Sequence, residues 1–191
     1  MRTIFLSILF SLIWLSSCVE QKQQQNSSEM KKDSKPIEEA PKGTLQSELD
    51  AKKAAFESRA SKEKLKLYGD GIKAVVESGI VESAKQVGDT APNFSLKNAI
   101  GETVELADYL KKGPVVLTWY RGNWCPYCNM TLHKLQEELP NFKAEGANLL
   151  ALTPELPDRS ISTKEKHQLE FEVLSDMGNK IAHEYGIVFK L

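Results

Sequence analysis

The sequence has 191 residues, and its 25 Lys and Arg against 26 Asp and Glu give a formal net charge of −1. That balance offers no basic face for nucleic acid, and the length holds one modest core with accessories rather than two domains. Three cysteines are too few for a disulfide-stapled scaffold, so their role is chemical.

The chain opens with Arg2 and an apolar run from Ile4 to Leu15. The run is about half of the roughly 20 residues a helix needs to cross a bilayer, so residues 1–17 read as an export signal. It closes in Leu15-Ser16-Ser17-Cys18, which resembles the lipobox of bacterial lipoproteins. The resemblance implies cleavage before Cys18 and acylation of that cysteine. The protein is then expected in the bacterial cell envelope, lipid-anchored to a membrane facing the periplasm or exterior. The competing reading is an ordinary secretory signal in which Cys18 is incidental. Removing residues 1–17 takes away one charge, Arg2, and leaves the mature chain at −2. Residues 18–43 are dominated by Gln, Ser, Lys and Glu without an aromatic. They cannot bury enough apolar surface to order, and read as a flexible tether.

From Thr44 the pattern turns helical, and residues 44–86 read as a helical N-terminal extension. Leu45, Leu49 and Phe56 share one side, while Leu65, Tyr68, Ile72, Val75 and Val76 form a second stripe that Gly79 is placed to end,. Gly69 and Gly71 weaken the middle of the second helix. Both helices are expected to pack on the sheet that follows.

Residues 87–191 alternate between strand and helix patterns, an α/β arrangement. Phe94-Ser95-Leu96, a turn about Asn98 to Gly101, Thr103 to Leu106 and a short helix to Lys112 come first,. Val115 to Tyr120 is a continuous apolar, β-branched and aromatic run that predicts a strand buried on both faces. A helix after it and a second buried strand over Ala147 to Thr153 complete a βαβ unit. Helix is expected again over Ile161 to His167 and Gly178 to Tyr185, with a short strand over Phe171 to Leu174.

The chemistry sits where the first buried strand meets its helix, at Tyr120-Arg121-Gly122-Asn123-Trp124-Cys125-Pro126-Tyr127-Cys128. Cys128, Leu132, Leu135 and Leu139 fall on one apolar stripe of that helix, whereas Cys125 lies at its start with Pro126 in the first helical position. The stripe predicts that Cys125 is the accessible thiol. Free N–H groups and the positive end of the helix dipole favour a thiolate there; lowering the pKa from about 8.5 to about 7 ionises roughly half the thiol near neutrality. Redox chemistry is the expected use of the pair. A half zinc site and a structural disulfide are the other readings, but His133, His167 and His183 lack paired-ligand spacing,. The chemistry needs neither metal nor cofactor.

Trp124-Cys125-Pro126-Tyr127-Cys128 after a core strand resembles the active site of the thioredoxin superfamily. With Gly88-Asp89-Thr90-Ala91-Pro92-Asn93-Phe94 upstream, the chain more narrowly resembles the peroxiredoxin-like branch, of alkyl hydroperoxide reductase and thiol-specific antioxidant type. The resemblance implies a thioredoxin-like fold over residues 87–191. It further implies a thioredoxin-dependent peroxidase reducing hydrogen peroxide or organic hydroperoxides, with Cys125 attacking and Cys128 resolving to a redox disulfide. The partners implied are a peroxide and a thioredoxin-like reductant, besides the membrane reached through the lipid anchor. An envelope thiol-disulfide oxidoreductase is the enzymatic alternative. A lipid-anchored binding module, with the two cysteines as a permanent staple, is the non-catalytic one.

Two departures from the family stand out. The chain stops at Leu191, before the hairpin whose cis-proline faces the cysteine pair in thioredoxin-like folds. Pro154 and Pro157 fall too early to replace it, so the domain is expected to be truncated. Peroxiredoxins also carry Pro-x-x-x-Thr-x-x-Cys, but here Gly122 stands three residues before Cys125 and Thr118 seven before. Arg121 offers a permanent cation that can stabilise the thiolate and donate to a peroxide oxygen; its other reading is a solvated charge at a strand end. Trp119, Tyr120 and Trp124 read as core and rim packing. His133 lies off the helix stripe and reads as exposed.

Overall fold

The computed structural model describes residues 43–190. The signal segment 1–17, Cys18 with its expected acylation, and the tether up to residue 42 lie outside the described residues. Among the described residues no helix is long and apolar enough to cross a membrane. The elements run α1 (Leu45–Glu57), α2 (Lys62–Glu77), α3 (Ile80–Ser83), β1 (Ser95–Asn98), β2 (Thr103–Glu105), α4 (Leu106–Leu110) and β3 (Val115–Trp119). There follow α5 (Pro126–Ala144), β4 (Asn148–Thr153), α6 (Pro157–Lys166), β5 (Glu172–Ser175) and α7 (Lys180–Glu184).

The strands form one sheet in the order β2-β1-β5-β4-β3. β3 and β4 are parallel, with Val115 opposite Asn148 and Trp119 opposite Leu152; β4 and β5 are parallel as well. β1 runs antiparallel to both β5 and β2. Side chains alternate across β4, so its two faces feed two cores. Leu150 and Leu152 pack with Phe94, Val104, Leu106, Leu174 and Ile181. Leu149 and Ala151 pack with Tyr120, Leu132, Leu139, Phe171 and Val173.

β3 is half-buried along its whole length rather than buried on both faces as its composition predicts. Among the described residues it is an edge strand paired with β4 alone, and an edge keeps one flank open. β4, in the middle, is the strand that the apolar-run pattern describes best.

Ordinary capping chemistry sets the helix starts. Thr44 and Ser61 accept from Ser47 N and Lys64 N to begin α1 and α2,. α2 continues through Gly69 and Gly71 to Glu77. α6 begins at Pro157, before the Ile161 expected from periodicity, because proline's fixed φ suits a first helical turn,. α7 starts where the buried Asp176 carboxylate accepts from Ile181 N and Ala182 N, at 3.0 and 2.9 Å,. α5 carries Pro140 in its interior. The missing N–H there is tolerated in a helix whose Leu132 and Leu139 are both buried,.

The N-terminal helices depart from expectation. Neither α1 nor α2 buries a residue fully, because both faces of the sheet already have their side-chain layers. α1 lies instead against α5, with Leu45, Leu49 and Phe56 half-buried. Phe56 meets Tyr68 of α2 edge-on, 5.3 Å between ring centroids, while Ile72 and Val76 remain exposed.

Candidate active site

Tyr120 extends the β3–β4 ladder one residue past the strand, its N–H donating to Leu152 O at 2.9 Å. The chain then turns through Arg121, Gly122, Asn123 and Trp124 into α5. Gly122 has φ +148°, where a side chain is strained. A Cβ there would also lie 2.6 Å from Trp124 Nε1 and 2.7 Å from Glu155 Oε1. At the position three before Cys125, a threonine in peroxiredoxins, a side chain would therefore require Trp124 and Glu155 to shift. Thr118 sits within β3 opposite Ala151.

Cys125 is the N-cap of α5, at φ −87° and ψ 109°, with Pro126 opening the helix. Its Sγ accepts from Cys128 N at 3.3 Å, from Arg121 Nη2 at 3.3 Å and from Cys128 Sγ at 2.7 Å. Both cysteines are free thiols. Their exposure reverses the sequence expectation: Cys125 is 0% exposed, while Cys128 is half-buried. Capping turns the Cys125 sulfur back over the helix end, beneath an Arg121 side chain that is itself exposed. Cys128 takes its place on the apolar stripe beside Leu132, Leu135 and Leu139.

The environment pushes the two thiols in opposite directions. Burial alone would raise Cys125, but hydrogen bonds from the thiol and N–H of Cys128 and from Arg121 outweigh it, holding Cys125 below the ordinary thiol value,. Cys128 is raised, first by burial and then by its own donation to Cys125. Such separation favours the thiolate at Cys125 and keeps the proton on Cys128,. The Arg121 guanidinium is raised, chiefly by its hydrogen bond to Cys125.

Trp124 is 64% exposed, so it sits at the rim of the site and not in the core. Its ring lies 5.0 Å under Arg121 Cζ, a cation–π arrangement that steadies the guanidinium over the sulfur. Trp119 meets Tyr185 at a 52° tilt with 4.9 Å between ring centroids, and Tyr120 is buried. His133 is exposed and pairs with Glu137 at 3.4 Å. Among the described residues no group of three or more His, Cys, Asp or Glu side chains is arranged to hold a metal ion.

Two site residues escaped sequence reading. Glu155 Oε2 accepts from Asn123 N at 3.0 Å, and Asn129 Nδ2 donates to Asn123 O at 2.9 Å. A signal for Glu155 was available, since Thr153-Pro154-Glu155 leaves β4 at its carboxyl end. That is the edge of a parallel sheet where sites collect and where β3 delivers the thiols. Nothing local marks Asn129, which is one more polar residue in the first turn of α5.

A mixed sheet whose strands β3, β4 and β5 run parallel, with a dithiol where β3 enters α5, defines a thioredoxin-like fold with a Cys-x-x-Cys site. A model of the AhpC/TSA family matches residues 87–191. That is more than half of the chain, and the chain belongs to this family. Among curated relatives, it is 31% identical over 108 residues to the thiol-disulfide oxidoreductase ResA of Bacillus thuringiensis subsp. konkukian, covering 56% of this chain and 61% of the relative. It is 32% identical over 110 residues to the chloroplastic peroxiredoxin Q of Triticum aestivum, covering 58% and 50%. The match thus spans only about half to three fifths of these relatives' length. The crystal structure of peroxidoxin BcpB from Mycobacterium tuberculosis superposes with a TM-score of 0.52 at 24% identity, over 55% of this chain and 68% of that one, a likeness of fold.

Proposed function

We propose that this chain is a thiol peroxidase that reduces hydrogen peroxide or organic hydroperoxides through a Cys125–Cys128 dithiol/disulfide cycle. The observation that carries the reading is the convergence of three donors on Cys125 Sγ, one of them the Cys128 thiol 2.7 Å away. In the cycle the Cys125 thiolate attacks a peroxide oxygen; the S–O bond forms as the O–O bond breaks, and the departing alkoxide or hydroxide takes a proton. Arg121, exposed above the sulfur, can swing to admit the peroxide and donate to the oxygen that gains charge. Cys128 then attacks the sulfenic sulfur, the S–S bond forms and the hydroxyl leaves as water. A thioredoxin-like dithiol returns two electrons and two protons.

Membership of the AhpC/TSA family and the peroxiredoxin Q relatives support this reading. A second reading, thiol-disulfide oxidoreductase, is favoured by the ResA relatives and by Gly122 standing where the peroxide-binding threonine would be. Cys125→Ser should abolish turnover in either case. Under the peroxidase reading Cys128→Ser consumes one equivalent of peroxide and leaves a sulfenic acid that a dimedone-type probe traps. The disulfide reductase instead leaves Cys128→Ser as a mixed disulfide with its protein substrate. Stopped-flow peroxide consumption no faster than that of free cysteine would end the peroxidase reading.

The place of action proposed is the bacterial envelope, with the domain tethered through acylated Cys18, on the sequence of residues 1–18 alone. Intact-mass analysis of membrane-extracted protein tests it. An unmodified Cys18, or a retained Met1, overturns it.

A further inference from the structure

Asn123 is held by both of its backbone groups, its N–H by Glu155 Oε2 and its carbonyl by Asn129 Nδ2. Glu155 reaches the loop from across the sheet end, 32 residues away in sequence. Its own N–H donates at 3.4 Å to the hydroxyl of Thr153, which is fully buried, so the carboxylate stands on a fixed stem. Its second oxygen lies on one side of Gly122, with Trp124 Nε1 close to the same point. Carboxylate and indole thus both lie against the same face of the Gly122 backbone, where a Cβ would meet them at 2.7 and 2.6 Å. This short loop joins the two groups that meet at the sulfur, since Arg121 precedes it and Trp124 and Cys125 follow it. The 3.3 Å contact from Arg121 to Cys125 Sγ and the 5.0 Å stacking on Trp124 both depend on its path.

We propose that Glu155 is a positioning residue for the Cys125 thiolate. It clamps the Gly122–Asn123 backbone so that Arg121 stays aimed at the sulfur. The inference rests on Cys125 being the reactive thiol, and its test reads the ionisation of that thiol rather than turnover, so the two can fail separately.

The direct and indirect effects of Glu155 have opposite signs. As a bare negative charge near the site it disfavours a thiolate, whereas as a clamp it favours one. The experiment is the pH dependence of iodoacetamide alkylation at Cys125, followed by mass spectrometry on the reduced full chain with folding checked by circular dichroism. Glu155→Leu fills the volume without an acceptor. Below the midpoint it should slow alkylation about fivefold and move the midpoint to higher pH, as expected for loosening one charge-assisted donor that is exposed to solvent. Glu155→Gln keeps an oxygen for the Asn123 N–H while removing the opposing charge, so it should alkylate at least as fast as the parent,. Glu155→Ala carries the same expectation as Glu155→Leu should the leucine variant not fold. Unchanged or faster alkylation in the leucine or alanine variant overturns the proposal, and so does a glutamine variant slower than the parent.

Discussion

Replacing Arg121 with alanine isolates the one full positive charge that meets the Cys125 sulfur. Three donors reach that sulfur, so the substitution leaves the helix-capping N–H and the side-chain donor at position 128 in place. A hydrogen bond to a charged acceptor contributes about 1.5–3 kcal/mol when shielded, and an exposed ion pair about 0.2–1 kcal/mol. Arg121 is exposed while its target is buried, so about 1 kcal/mol is the reasonable magnitude. That corresponds to roughly a fivefold smaller thiolate-to-thiol ratio at fixed pH. The assay is the ultraviolet absorbance of the thiolate against pH, in a Cys128→Ser background so that only one site sulfur titrates. The midpoint should rise in Arg121→Ala, and the difference from the parent should shrink between about 0.05 and 0.5 M salt as the charge is screened. Arg121→Lys should recover part of the loss, because a flexible ammonium lacks the planar fork and the stacking on Trp124. A midpoint identical in Arg121→Ala and its parent would show the 3.3 Å contact to be a solvated charge without consequence for the thiol.

Gly122→Ala forces a side chain onto a backbone at φ +148° and against Trp124 and Glu155; it should cost about 1–3 kcal/mol in chemical denaturation, and a neutral result would mean the loop re-forms freely. Asp176→Ala leaves two buried N–H groups of α7 without their acceptor and should cost about 2–4 kcal/mol, with Asp176→Asn recovering part of it. His167 is held below its ordinary 6.5 first by burial and then by the nearby charges of Lys166 and His133. The folded state therefore binds fewer protons than the unfolded chain below about 6.5, so stability is complete above that pH and declines as pH falls through the lowered value. His167→Gln should flatten this slope in thermal melts, and a melting temperature that declines just as steeply in the variant would assign the slope to other groups.

Local pattern determined a good deal of this protein. Period and capping residues placed α5 and its Leu132–Leu135–Leu139 stripe, the apolar run placed β4, and Cys-x-x-Cys at a strand-to-helix junction placed the thiols at a helix N-terminus. These are short-range properties, readable because a side chain's face follows from its position in the repeat. The helical pattern of α1 and α2 was legible for the same reason, but not what they pack against. That depended on whether the sheet faces were already filled by segments far along the chain.

The exposure of the two sulfurs was decided in three dimensions. Periodicity says which way Cys128 points, but not that the N-capping sulfur of Cys125 folds back under Arg121, because Cys125 lies outside the helical repeat and its rotamer answers to the cap. β3 and β4 likewise share an apolar composition, yet only strand order makes one an edge and the other the centre. Glu155 is the clearest case. Its distance of 32 residues from Asn123 is bridged by the parallel pairing of β3 with β4, which brings the ends of both strands to the same side of the sheet. No window of sequence contains that juxtaposition, since it arises from long-range strand pairing rather than from any local preference.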